Sequence, residues 1–169
     1  MILGFVCDSV LSESAIESSR RHLRIQAVAD MSYGKPGPPD EQFWDIVRLG
    51  KAALLDLILL IEDDTPTTVQ VDLFGGTYTI SDIAVIALMR ICPDIPIVEF
   101  VDDPQEPQFE NAGFGVYWVY VRESHDNRRV LQANIRDWVS DNEQRLQWVV
   151  QPEHPAGGWY ALDEPLNKE

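Results

Sequence analysis

The chain has 169 residues, 28 acidic side chains against 13 basic ones, a formal charge of −15 and a hydrophobic content of 45%. That length and apolar content suffice for a buried core of ordinary size and exclude a disordered acidic tail. The charge opposes nonspecific binding to nucleic acid or to an anionic membrane surface.

The N-terminal stretch Met1–Glu13 is apolar but lacks a basic leader, and Asp8 interrupts it, so it reads poorly as a secretory signal. Ser14 and Glu17 have the spacing of a capping box. They predict a helix that carries Ile16, Leu23 and Ala27 and ends near Met31. Tyr33–Pro39, rich in glycine and proline, is a loop. Asp40 and Glu41 then open a helix with Phe43, Val47, Gly50, Leu54, Leu57, Ile58 and Ile61 at helical spacing. The pattern predicts one rod of roughly 22 residues, about 33 Å long, with Gly50 inside it where another backbone approaches. The apolar run Ala52–Ile61 is ten residues long and contains Asp56. A membrane span needs about 20. Glu62-Asp63-Asp64 and Thr65-Pro66 end the rod. Acids at a helix C-terminus oppose its dipole, which points to a role for them outside that helix.

Leu73–Asp82 reads LFGGTYTISD. Thr79 and Asp82 are spaced as a capping box, and Tyr78 and Ile83 as a hydrophobic staple. A helix from Ile80 to Cys92 follows, apolar all round and therefore buried, and Pro93 stops it. Gly75-Gly76 is then a turn that closes a small hairpin with Val69–Phe74. It is not a phosphate loop: the cap uses a helix-start donor, Asp82 adds negative charge, and no lysine or arginine lies between Ala52 and Met89.

Cys92–Gly115 contains four prolines and predicts a long loop, with a short strand at Ile97, Val98, Phe100 and Val101. Gly115–Val121 fits a strand by composition and a helix by the spacing of Tyr117, Tyr120 and Val121. Asn127 is the expected N-cap of a helix with Leu131, Ile135, Trp138 and Val139 on one face. Ser140 and Glu143 predict a break and restart of that helix. Two short strands around a Pro/Gly turn follow from Leu146, and residues 164–169 are expected to fray. The expected fold is α+β: a helix-dominated single domain over residues 1–169, with a few short strands in the second half. The helices around Leu54 and Val85 form its centre.

Reactive chemistry is sparse. His22, His125 and His154 stand far apart, and no HExxH pattern occurs, so no metal ligand set is assigned. Cys7 and Cys92 form no CxxC motif and read as small core residues, consistent with a reducing cytoplasm. No GxSxG or other local signature of a catalytic serine appears, and no catalytic residue or cofactor is assigned. Tyr117, Trp118, Tyr120, Trp138, Trp148, Trp159 and Tyr160 read as packing residues, with Trp159 partly exposed and suited to an interface.

Charge placement is the feature above background. From Ala52 to Val121 twelve carboxylates face Arg90 alone, so this 70-residue midsection carries −11 of the −15. One reading is a solvated, solubilising surface. The sharper one is a docking face for a basic protein, made of Glu62, Asp63, Asp64, Asp94, Glu99, Asp102, Asp103, Glu106 and Glu110, with Phe100 and Phe109 as apolar anchors. In size, charge and lack of catalytic motifs the chain resembles the small acidic immunity proteins of bacterial toxin systems. That resemblance implies a cytoplasmic, non-enzymatic protein that binds a cognate basic toxin or effector. Two alternatives stand beside it: a DNA mimic that blocks a DNA-binding protein, and a small hydrolase or nucleotide-processing enzyme. The oligomeric state is left open.

Overall fold

The computed structural model describes residues 41–70, 76–102 and 114–163. The helix expected at Ser14–Met31, the loop Tyr33–Pro39 and the frayed tail all lie outside them. Among the described residues the fold is helix-dominated, with six α-helices and two short antiparallel hairpins.

The rod predicted from Glu41 to Ile61 is two helices. Helix α1 spans Glu41–Arg48 and helix α2 spans Lys51–Leu59, continued by a 3₁₀ turn at Leu60–Glu62. The break is at Gly50, whose φ of 57° and ψ of −133° lie where only glycine is comfortable. The close neighbour there is a ring and not a backbone: a Cβ on Gly50 would lie 2.8 Å from Cε2 of Tyr160.

Strand β1 (Pro66–Gln70) pairs antiparallel with β2 (Thr77–Thr79), so the hairpin starts earlier in the chain than Val69. Helix α3 (Ile80–Ile91) follows β2 directly and has the predicted capping box. The Thr79 N–H donates to Asp82 Oδ2 at 2.7 Å, and the Asp82 N–H donates to Thr79 Oγ1 at 3.3 Å. Every residue from Ile80 to Leu88 is buried, as is Ile91. α1, α2, the 3₁₀ turn, β2 and the last strand all pack around α3.

Ile97–Val101, expected as a strand, is a one-turn helix, α4. Its β-branched composition favours a strand, but Ile97 and Val101, four residues apart, are both buried, and α4 packs on the two helices that follow. Helix α5 spans Phe114–Glu123, which settles the choice at Gly115–Val121. A strand would place Tyr117, Val119 and Val121 on one face. Instead Tyr117, Trp118 and Val121 are buried while Val119 is 72% exposed.

Helix α6 (His125–Asn142) starts three residues earlier than a cap at Asn127 predicts, because Ser124 is the N-cap and accepts from the Asp126 N–H at 3.1 Å. Asn127 sits inside the helix, and its amide donates to the Tyr120 carbonyl at 2.8 Å, satisfying an orphan acceptor at the end of α5. Leu131, Ile135 and Val139 are buried as the spacing predicts, with Trp138 half-buried. The helix does not break at Ser140. It runs to Asn142 and passes into a 3₁₀ turn at Glu143–Arg145.

The chain closes with β3 (Leu146–Val150) and β4 (Gly158–Leu162), paired antiparallel from Leu146↔Leu162 to Val150↔Gly158. This hairpin is pinned to α1. Arg48 donates to the Pro155 carbonyl through Nε (3.3 Å) and Nη2 (3.1 Å), and the His154 ring meets Trp44 and Trp159 edge-on. Substitution Gly50→Ala is expected to lower the unfolding free energy by about 1–3 kcal/mol in urea denaturation, through backbone strain and displacement of the Tyr160 ring.

Candidate docking surface

Among the described midsection acids, Asp63 and Asp64 lie beside one end of α3 and Asp94 and Glu99 beyond the other. Asp63 and Asp64 leave the 3₁₀ turn beside its N-terminus, where the Ser81 N–H donates to the Asp63 carbonyl at 2.8 Å and the Ile80 N–H to the Thr65 carbonyl at 3.0 Å. The mismatch at the end of α2 has its reason here: these carboxylates sit at the positive end of the next helix, where a dipole favours them. Asp63 Oδ1 also accepts from the Thr65 N–H at 3.0 Å, while Asp64 is exposed.

Asp94 and Glu99 lie past the other end of α3, both exposed. Twelve helical residues separate the groups by about 18 Å. That exceeds the Debye length of about 10 Å at 0.1 M salt, so the two groups act as separate electrostatic contacts. Asp94 has a structural duty as well, since its Oδ2 accepts from the Leu162 N–H at 2.7 Å and anchors β4. Asp102 is half-buried, and Phe100 is half-buried and packed against the core. Asp103, Glu106, Phe109 and Glu110 lie outside the described residues, as do Asp72 and Cys7.

Among the described residues, no lysine or arginine forms a salt bridge with Glu62, Asp63, Asp64, Asp94 or Glu99. Arginine is paired elsewhere: Arg48 with Glu41 and Asp45, and Arg129 with Asp126. Glu62 has His125 at 3.9 Å, a contact that becomes ionic only when the imidazole is protonated. Arg90, the one basic residue of the midsection, acts electrostatically on His154.

A second cluster, buried and polar, escaped the sequence reading. Ser81, Asp82, Arg128 and Gln132 are all buried, and Tyr117 is 1% exposed. Ser81 Oγ donates to the Ile61 carbonyl at 2.7 Å and lies 3.4 Å from the Tyr117 hydroxyl. Gln132 donates to the carbonyls of Ile58 (3.0 Å) and Leu59 (3.3 Å) and accepts from Arg136. These bonds bring side-chain donors to carbonyls at the end of α2 and in the 3₁₀ turn. Burial pushes the Tyr117 hydroxyl far above its ordinary range, and the Asp82 charge adds to this. Tyr117 is thereby a permanent neutral hydroxyl. The signal was readable: Arg128 and Gln132 fall on the same helical face as Ile135 and Val139, in the stripe that packs inward.

Cys92 is free and buried, and desolvation raises its thiol to about 11. At neutral pH it is a thiol and a core residue. No group of three or more His, Cys, Asp or Glu side chains among the described residues is placed to hold a metal ion, and no described helix is long and apolar enough to cross a membrane. No known protein family, curated protein or solved structure matches the chain.

His154 is shifted below the usual imidazole range, first by burial and then by the charge of Arg90. The unfolded chain takes up that proton first, near pH 6.5. The contribution of neutral His154 to stability is therefore present above about pH 6.5 and is lost as pH falls through that value to the lower folded one. The fall in melting temperature between about pH 7.5 and 5.5 is expected to be smaller in His154→Gln than in the parent. Ser81→Ala is expected to cost about 1–3 kcal/mol in urea denaturation, because the Ile61 carbonyl loses a buried donor.

Proposed function

We propose that the protein is a non-enzymatic acidic binding protein of the cytoplasm that neutralises a basic toxin or effector through its midsection carboxylates. The observation that supports this reading most is the pair of acidic groups at the ends of α3, of which Asp64 and Glu99 are exposed and unopposed by lysine or arginine among the described residues. Two charged contacts about 18 Å apart suit a protein-sized partner with two basic patches. Asp94 serves less well as a free contact, being committed to Leu162.

The pair Asp64→Lys and Glu99→Lys tests the reading, since neither side chain has a hydrogen-bond partner among the described residues. A basic partner captured at low salt is expected to bind the variant at least about tenfold more slowly than the parent, and the gap should close as salt screens the charges. The melting temperature should be nearly unchanged, as for other exposed substitutions. Co-expression of the parent should suppress the toxicity of that partner, and co-expression of the variant should not. Binding indifferent to the double reversal would remove the carboxylates from the interface. Competition by DNA for the same partner surface would replace toxin neutralisation with DNA mimicry.

A further inference from the structure

Among the described residues β3 pairs on one side only, with β4, and the chemistry of its other edge is that of a strand waiting for a neighbour. The direction of its amides follows from three hydrogen bonds. The Gln151 N–H donates to the Gly157 carbonyl and the Asp163 N–H to the Arg145 carbonyl, so odd-numbered residues of this strand face β4. The Leu162 N–H, opposite Leu146, turns away from β3 to reach Asp94. Even-numbered residues therefore point their amides outward from the hairpin. At Trp148 and Val150 those outward groups have no backbone partner among the described residues.

Natural proteins blunt such edges with charges, proline or a bulge. On β4 the outward Leu162 N–H is taken by the Asp94 side chain. β3 has none of these devices: Leu-Gln-Trp-Val-Val carries no charge, pairs with β4 in unbroken register, and leaves Trp148 41%, Val149 38% and Val150 68% exposed. Two strands alone make a marginal sheet.

We propose that β3 is the seam of a homodimer, in which the edges of two copies pair antiparallel into one four-stranded sheet. Two chains of charge −15 repel, so a contact between them has to fall on neutral surface, and Leu146–Pro152 is an uncharged run. Its ends are complementary. Arg145 closes the 3₁₀ turn before β3 and Glu153 lies in the turn after it, so a two-fold axis at Val149 brings the basic end of each run toward the acidic end of the other. The same register pairs Trp148 with Val150 across the axis, using the outward amides of both residues in four backbone hydrogen bonds. It also lays each indole against Val150 of the other chain, which is 68% exposed.

The sign of the salt effect separates this contact from docking of a basic partner. Screening weakens attraction to a cation but relieves repulsion between two polyanions, so the dimer should tighten from about 0.05 M to 0.5 M salt. Sedimentation velocity of the full chain at about 10–100 μM reads this directly. Val150→Lys places like charges across the seam, and Val150→Pro deletes an outward N–H while leaving the pairing with β4 intact. Each is expected to raise the dimer dissociation constant by at least about tenfold, with the melting temperature of Val150→Lys unchanged in the monomer. A parent that is monomeric at about 100 μM in 0.5 M salt overturns the proposal. So does a dimer that weakens with salt, or one that survives Val150→Lys.

Discussion

From Ile80 to Leu88 helix α3 leaves no side for water, and the rest of the architecture answers that constraint. With Ile80 through Leu88 buried, the helix has to be wrapped on every flank, and α1, α2, β2 and β4 do so. Enclosure also raises the stakes at its ends, since a buried helix start with unmet N–H groups is costly. The Thr79–Asp82 box and the carbonyls of Asp63 and Thr65 meet those donors. The buried polar cluster is the same solution at the neighbouring helix end, where Ser81 and Gln132 meet carbonyls of Ile58, Leu59 and Ile61. Burying α3 thus dictates both where the apolar side chains go and where the few inward polar ones must be.

Local chemistry was legible wherever the decisive partners are close in sequence. The α3 cap, the face of α6 with Leu131 and Ile135, and the final hairpin are of that kind. The misreadings occur where a distant group decides. Gly50 breaks the predicted rod because its backbone angles and the Tyr160 ring, 110 residues away, leave no room for a side chain. Ile97–Val101 is helical because α5 and α6 offer it an apolar face, against its own composition. Ser124 displaces Asn127 as a cap because Asn127 serves the carbonyl of Tyr120, a partner that spacing alone does not reveal.

The candidate surface was legible in sign but not in shape. Counting charge finds the acidic midsection, yet a count along the chain has no geometry. Folding moves Asp82 inside, commits Asp94 to β4 and sorts Asp63 and Asp64 from Glu99 by the length of a helix. Phe100, read as a free anchor, contributes part of its ring to the core. Acidic groups at both ends of one buried helix also differ electrostatically. Those at the N-terminus are partly offset by the helix dipole, whereas those at the C-terminal end project a fuller negative potential.

The contact of Arg48 with the Pro155 carbonyl has a consequence for how the molecule opens. The β3–β4 hairpin has little interior of its own, and α1 is only two turns long. Elements this small rarely persist alone. Joined by Arg48 and by the Trp44–His154–Trp159 contacts, they form one cooperative unit from opposite ends of the described chain. Amide protons in α1 and in the hairpin should then exchange with solvent through a shared sub-global fluctuation, at a lower free energy than those of α3.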